Sequence, residues 1–345
     1  MDSITTRLLC GWNDRWAALA ATVRDPAAVG RIVRVDRGWC TIVGIGEAEI
    51  RARTPESVAV GDWVFVDAER DEVAQILSRT SSLSRAAADS RTEIQDLAAN
   101  IDYVFILQSL TSPLNVRRLE RELVVAWESG AQPVIVLTKA DVVDADHANS
   151  TVELAHKTAL GVDVLVVSNT TGQGFDTLAP FISTGKTIVM FGRSGVGKSS
   201  LINQLVGTEV AAIGELRSID DKGKHTTTAT QLIVLASGGL LVDTPGIRAL
   251  GLADAEGGLA AAFSDIDDLA ELCRFRDCAH MAEPGCAVRT GIADGIVTQD
   301  RLDSYVRLSA ELARSERDRT GWEAAAAHQA QRRFTKNIKG QKIRP

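Results

Sequence analysis

The stretch Gly192-Arg193-Ser194-Gly195-Val196-Gly197-Lys198-Ser199 has the residues needed to enclose a chain of phosphates. It matches G-x-x-x-x-G-K-[ST] in full. The glycines let successive backbone N–H groups turn inward onto phosphate oxygens. Lys198 brings a positive charge to the terminal phosphates, and the Ser199 hydroxyl ligates Mg²⁺. Ser200 opens the helical stretch Ser200–Leu205, whose N-terminal dipole adds to the field. Downstream, Asp243-Thr244-Pro245-Gly246 follows the apolar run Leu240–Val242. An acid at a strand end beyond a phosphate loop is placed to hold Mg²⁺ through water, and the Gly246 N–H can sense the terminal phosphate. Alone, Asp-Thr-Pro-Gly is an ordinary turn; its pairing with the phosphate loop gives it meaning.

Two further clusters suggest which base the nucleotide carries. Thr138-Lys139-Ala140-Asp141 ends the apolar run Val134–Leu137. A carboxylate here accepts hydrogen bonds from N1–H and the N2 amino group of guanine, a donor pair that adenine lacks, and the Lys139 stem can cover the base. Ser168-Asn169, after the next apolar run, supports the same base. These short motifs are common on surfaces, and their value comes from lying at consecutive strand ends beside the phosphate loop.

A different chemistry sits at Cys273-x₄-Cys278-x-His280-x₅-Cys286. Three thiolates and an imidazole form a closed tetrahedral zinc set with no open position, which makes its role structural. The competing reading is a small core holding reduced cysteines.

The elements that must carry these groups fall into blocks. Residues 1–29 have helical patterning, with Trp12 and Trp16, and suggest no function. Residues 30–85 hold five short segments of strand character, Arg31–Val35, Trp39–Val43, Ala48–Arg53, Trp63–Asp67 and Val73–Leu77, which suit an OB-type β-barrel. A generic β-domain without a binding role is the alternative. Residues 86–251 alternate apolar runs (Tyr103–Leu107, Val134–Leu137, Val162–Val167, Ile188–Phe191, Leu232–Leu235, Leu240–Val242) with helical patterns such as Val116–Glu128, started by Asn115 and stopped by Gly130. This is the pattern of a doubly wound α/β sheet. Residues 252–330 are mostly helical in pattern and include the cysteine cluster, and 331–345 form a basic tail.

With base motif first, phosphate loop second and Asp-Thr-Pro-Gly third, the order is that of a circularly permuted GTPase. Together with a preceding barrel and a following Cys/His cluster, the chain resembles the ribosome small-subunit-dependent GTPase A family (RsgA) from about Gly30 to about Leu308. The resemblance implies a Mg²⁺-dependent GTP hydrolase acting as a switch in late maturation of the small ribosomal subunit. It implies that the barrel and zinc regions contact rRNA, with GTP and GDP as ligands, one structural Zn²⁺ per chain and a monomeric state. It also implies that Lys222–Thr228 is the first switch loop, from which Thr226, Thr227 or Thr228 closes on Mg²⁺. Ile247 occupies the place where Ras-like GTPases carry a water-orienting Gln, and His225 is the polar candidate for that task; a structural or phosphate-adjacent histidine is the other reading. One departure is Thr138, where GTPases in general have Asn, so Asp141 is left with most of the guanine preference.

Composition narrows the remaining choices. The chain has 345 residues, a formal charge of −7 and 45% hydrophobic residues, which suits two or three globular domains. Its first residues lack the pattern of a secretory leader, no apolar run is long enough for a membrane span, and a cytoplasmic protein without membrane partners is expected. The net acidity argues against simple nonspecific nucleic-acid binding, but Gln331–Pro345 carries six bases and no acid. That tail is either a solvated end or a contact to phosphate backbone. A phosphate-loop kinase or ATPase, or a binding module that turns nucleotide over incidentally, would compete with the GTPase reading. Asp141 and Asp-Thr-Pro-Gly disfavour the first, and partner-stimulated turnover would oppose the second.

Overall fold

The computed structural model describes residues 3–36, 38–54, 57–86, 94–207, 230–243 and 255–317. The chain divides into two compact units, Met1–Ser84 with Asp96–Leu250 and Arg85–Gln95 with Gly251–Pro345.

The first unit opens with two short helices, α1 (Ser3–Leu9) and α2 (Asp14–Ala20). Asn13 caps α2 by accepting from the amides of Arg15 and Trp16. The helices serve to cover a barrel: Trp12 and Trp16 pack on Trp63 at ring separations of 4.9 and 5.9 Å. The barrel strands are β1 (Val29–Asp36), β2 (Trp39–Val43), β3 (Ile50–Arg53), β4 (Trp63–Asp67) and β5 (Glu72–Ile76). They run in the order β1-β2-β3-β5-β4, and a β1–β4 pairing closes the ring. Alternation turns Cys40, Ile42, Ala52, Val64, Val66 and Val73 inward around Ile32. A register shift between Ile32 and Arg34 bends β1, leaving Arg31 buried and Arg34 exposed on either side of it.

Arg31 ties the barrel to the segments around it. Its guanidinium donates to the carbonyls of Cys10 (2.5 Å), Gly61 (3.1 Å) and Asn100 (3.2 Å) and to the Thr187 hydroxyl (3.0 Å). Burial lowers its pKa, opposed by Cys10, Asp102 and Asp62. Removing it would leave the Cys10 and Asn100 carbonyls without its donors, at about 1–3 kcal/mol each, while the Gly61 carbonyl would keep the Asn100 side-chain amide.

Beyond the barrel lies a hairpin of β6 (Ser82–Ala86) and β7 (Ile94–Ala99), which the sequence patterning does not announce. Its Ser and Ala content carries little strand signal. Side chains anchor it instead: Arg79 donates to Asp62 at 2.7 and 2.8 Å and to Asp96 at 2.6 Å, and the Ser84 hydroxyl reaches Asp96 at 2.6 Å.

The expected α/β sheet then forms from β8 (Tyr103–Ser109), α3 (Val116–Glu128), β9 (Gln132–Thr138), α4 (Ala145–Thr158), β10 (Asp163–Val166), α5 (Phe175–Leu178), β11 (Thr187–Phe191), α6 (Lys198–Val206), β12 (Gln231–Val234) and β13 (Leu240–Asp243). The strand order is β10-β9-β8-β11-β13-β12. All are parallel to their neighbours except β12, which is antiparallel to β13. Helix α3 has the predicted bounds, with the Asn115 side chain accepting from the Arg118 amide at 3.0 Å and Gly130 beyond its end at φ +81°. Strand β11 is buried along its whole length, because α6 and the neighbouring strands cover it with Leu107, Val136, Leu201, Leu205 and Leu241. The chain runs outward from β8 to β10 and returns to β11, so the β8/β11 boundary is a switch point, where open α/β sheets place ligands at the carboxyl ends of strands.

Strand β12 also pairs with β1, joining barrel and α/β sheet edge to edge. The register sets up a cross-strand row, Asp243–Gln231–Arg34–Thr41–Arg51, from the end of β13 to the outer face of the barrel.

The second unit contains α7 (Glu256–Ala262), α8 (Ser264–Ala270), α9 (Ala287–Ala293) and a helical run over 299–317. Arg301 clamps Asp265 with bonds of 2.9 and 3.0 Å and lies 4.3 Å from the Phe263 ring centroid. Among the described residues no helix is long and apolar enough to cross a membrane.

Candidate nucleotide site and metal centre

The phosphate loop begins where β11 leaves the sheet. Gly192, Gly195 and Gly197 have φ of +149°, +80° and +102°, backbone that other residues rarely adopt. The requirement at Gly197 is also steric: a Cβ there would lie 3.2 Å from the Asn169 Nδ2 and 3.7 Å from the Thr138 Oγ1. The Thr138 and Asn169 side chains thus lie against the phosphate loop at Gly197, where a side chain would crowd them. Val196 is buried, while Arg193, Ser194, Gly195, Ser199 and Ser200 are exposed. Helix α6 opens at Lys198, two residues earlier than the expected Ser200, so the last two residues of the phosphate loop form its first turn.

Thr138, at the end of β9, is fully buried and donates its hydroxyl to the Val196 carbonyl at 2.5 Å. It therefore holds the phosphate loop from beneath, so the loss of the usual Asn amide is matched by a hydroxyl tie. The next residue, Lys139, has φ +64°. For a residue with a side chain this costs roughly 1 kcal/mol, and it turns the chain into the short 3₁₀ turn Ala140–Val142. Ala140 donates to the Val167 carbonyl at 3.2 Å, which docks that turn on the end of β10.

The two base motifs are bonded to each other. The Ser168 hydroxyl donates to the Asp141 carboxylate at 2.6 Å and accepts from the amides of Thr170 and Thr171. The Ser168 hydroxyl is the main cause that lowers the Asp141 pKa, so the acceptor form persists to lower pH. Asn169 donates from Nδ2 to the Gly197 carbonyl at 3.1 Å, and Gln204 of α6 donates to the Asn169 carbonyl at 3.0 Å. The Asn169 Oδ1 is buried without a partner among the described residues. An orphaned buried acceptor beside the phosphate loop fits a pocket built for a donor-bearing ligand such as a guanosine nucleotide. Gln204 was not singled out in the sequence; it lies one helical turn and a half beyond the phosphate loop and faces the base motif, which helical spacing alone could have suggested.

Asp243 ends β13, the neighbour of β11, and stands on the same edge of the sheet as Ser199. Thr226, Thr227, Thr228, His225, Gly246 and Ile247 lie outside the described residues.

In the second unit Cys273, Cys278, His280 and Cys286 converge, their donor atoms all within 4.8 Å of one another. The Sγ atoms of Cys273 and Cys286 are 3.9 Å apart, and the His280 Nδ1 lies 3.7 and 3.5 Å from them. A tetrahedral thiolate site with bonds of about 2.3 Å has edges of about 3.8 Å, so the group fits a metal ion. Burial lowers the His280 pKa, which favours the neutral imidazole a metal requires. The Ala287 amide, in the first turn of α9, donates to the Cys273 sulfur at 3.3 Å and helps hold it as a thiolate. Glu283 organises the intervening loop by accepting from the amides of Ala279, Met281 and Ala282 at 3.1, 2.8 and 3.0 Å. Nothing in its sequence position had marked it for that task.

Comparison with known proteins agrees with this geometry. Residues 76–253 match the family described as RsgA GTPase. The chain is 46% identical over 315 residues to the small ribosomal subunit biogenesis GTPase RsgA of Streptomyces avermitilis, covering 88% of this chain and 85% of that protein. Among solved structures it is similar to YjeQ from Thermotoga maritima, with a TM-score of 0.63, 26% identity and coverage of 83% of this chain and 98% of that one. It is also similar to YloQ, described as a circularly permuted GTPase, with a TM-score of 0.61, 29% identity and coverage of 83% and 94%. With its base-reading strands ahead of its phosphate loop, and with relatives alike over most of its length, the chain belongs to the RsgA GTPase family.

Proposed function

We propose that this protein hydrolyses GTP to GDP and phosphate as a cytoplasmic, monomeric switch in maturation of the small ribosomal subunit. The observation that carries the reading is that Ser168 is bonded to Asp141 while the neighbouring Asn169 and Thr138 side chains are bonded to the phosphate loop. Base recognition and phosphate binding are one connected structure, which suits a protein that must sense both.

In this reading Asp141 accepts from the guanine N1–H and N2 groups, with Lys139, Ala140, Ser168 and Asn169 around the base. The amides of the Gly192–Ser199 loop bind phosphate oxygens, and Lys198 stabilises charge that develops as the terminal phosphoryl group departs. Ser199 and Asp243, with Thr227, would hold Mg²⁺, which when bound neutralises phosphate charge. His225 orients the attacking water in place of the missing Gln. Zinc is the metal that best suits the closed Cys273/Cys278/His280/Cys286 set, and its role is to fold a loop that lacks a core of its own. The barrel and the second unit contact rRNA.

The base assignment is tested by Asp141→Asn. The amide reverses one donor–acceptor pair and should shift preference from GTP to xanthosine triphosphate by at least tenfold. An unchanged preference for GTP would place guanine recognition elsewhere.

A further inference from the structure

The amino ends of β8 and β11 point away from the nucleotide motifs. There the turn between α1 and α2 closes with them around a cavity of about 230 Å³. Arg31 lines it, with Trp12, Arg15, Asp102, Lys186 and Thr187. Glycine is needed in its wall: a Cβ on Gly11, which has φ +85°, would lie 2.7 Å from the Gly185 carbonyl oxygen and 3.1 Å from the Arg31 Nη1. All of these residues belong to the first unit.

Two buried donors at this cavity are left over. A guanidinium carries five N–H groups. Arg31 uses four of them on the Cys10, Gly61 and Asn100 carbonyls and the Thr187 hydroxyl. One N–H of Nη1 therefore has no acceptor among the described residues. The Thr187 hydroxyl accepts from Arg31, and its own O–H has no acceptor among them either. Arg31 is 2% and Thr187 1% exposed, and a buried donor without a partner is costly. The charges agree with the donors. Asp62 is held by Arg79 at 2.7 and 2.8 Å, and Asp102 accepts from Lys186 at 3.2 Å and from the Thr187 amide at 2.8 Å. Neither carboxylate bonds to Arg31. Arg15 donates to the Ser78 carbonyl at 3.2 Å and lies over the Trp16 ring, so it also lacks a carboxylate partner among the described residues. Arg15, Arg31 and Lys186 thus line a cavity in which Asp102 is the one acid, in a chain whose net charge is −7.

We propose that this cavity is a second ligand site, for a small phosphate-bearing anion whose oxygens meet Arg31, Thr187 and Lys186, with Arg15 beside them. Donors that arrive from β1, from α2 and from the start of β11 suit a tetrahedral oxyanion. A planar carboxylate is best met by two parallel donors of one guanidinium, which Arg31 no longer has. The volume lies below the ~300–1,000 Å³ of pockets for drug-sized ligands, so the occupant is smaller than a nucleotide. Trp12 and Leu8 offer an apolar wall to a short organic body. The site is distinct from the phosphate loop, because β11 runs from Thr187 at the cavity to Phe191 before Gly192, roughly 15 Å at about 3.3 Å per residue.

The test is calorimetric titration of the full-length protein, first saturated with GDP and Mg²⁺ so that the phosphate loop is filled. The probes are glycerol 3-phosphate, inorganic phosphate and glycerol. Glycerol 3-phosphate should bind saturably, and glycerol should not. Inorganic phosphate that binds as tightly as the ester would assign the cavity to free phosphate, and an ester that binds at least tenfold more tightly would assign it to a phosphorylated metabolite; the proposal stands in both cases. Lys186→Ala removes a cation and leaves the Asp102 charge facing the ligand, so it should weaken phosphate binding about tenfold. Asp102→Asn keeps the shape and removes the acid, so it should tighten binding several-fold. GDP affinity should stay at the wild-type value in both variants, showing that they fold. Absence of saturable binding of either phosphate by the wild type, an unchanged affinity in Lys186→Ala, or weaker binding in Asp102→Asn would overturn the proposal.

Discussion

The buried Thr138 hydroxyl donates a 2.5 Å hydrogen bond to the Val196 carbonyl, so the strand that ends in the base motif also supports the middle of the phosphate loop. Thr138→Val keeps the shape and removes the donor. The Val196 carbonyl then stays buried with its partner gone, at about 1–2 kcal/mol. GDP and GTP affinity should both fall on the order of tenfold, with the ratio of guanosine to xanthosine nucleotide binding unchanged. Calorimetric titration with both bases checks this, and a changed base ratio would mean that Thr138 touches the base.

The Ser168–Asp141 bond predicts a pH effect. The carboxylate binds guanine only when ionised, and the Ser168 hydroxyl lowers its pKa. Guanine nucleotide binding is therefore present above the Asp141 pKa and fades as pH falls through it. Ser168→Ala should let that pKa rise and move the acid limb of GDP affinity to higher pH, with little change near neutrality. A limb that stays in place would separate Ser168 from base recognition.

Metal analysis of the purified protein should find one zinc per chain. Replacing Cys278 with Ala should remove it and expose residues around 273–288 to proteolysis, because the loop depends on the ion for its fold. GTP affinity should survive, since the nucleotide motifs belong to the other unit. A metal-free protein with a protease-resistant loop would contradict the assignment.

Much of this site was legible in the sequence because its parts obey local rules. Helix α3 begins and ends where Asn115 and Gly130 place it, and the apolar runs became β8 to β13 with ends moved by only a residue or two. The glycines of the phosphate loop and the spacing of Cys273, Cys278, His280 and Cys286 carry their chemistry within short stretches, which a linear reading can find. Tertiary relations were less visible. The hairpin β6–β7 rests on Arg79 and Asp96 rather than on strand-forming residues. Arg31 looks like a surface residue of a strand, yet four acceptors from distant segments bury it. Thr138 read as a weakened base contact, because a single sequence does not reveal that its neighbour in space is Val196. The pairing of β12 with β1 comes from the packing of two domains, and no local pattern announces it.

The central claim is that this chain is a GTPase whose turnover answers to the small ribosomal subunit. Ile247 cannot orient water, so hydrolysis by the free protein should be slow, and a partner that engages the Lys222–Thr228 segment should accelerate it. The direct measurement is phosphate release from GTP with and without purified small subunits, using Lys198→Ala as the control that lacks the phosphate-loop charge. The account predicts at least a tenfold rise with wild-type protein and none with Lys198→Ala. Equal rates with and without subunits, in protein that binds GTP normally, would contradict it.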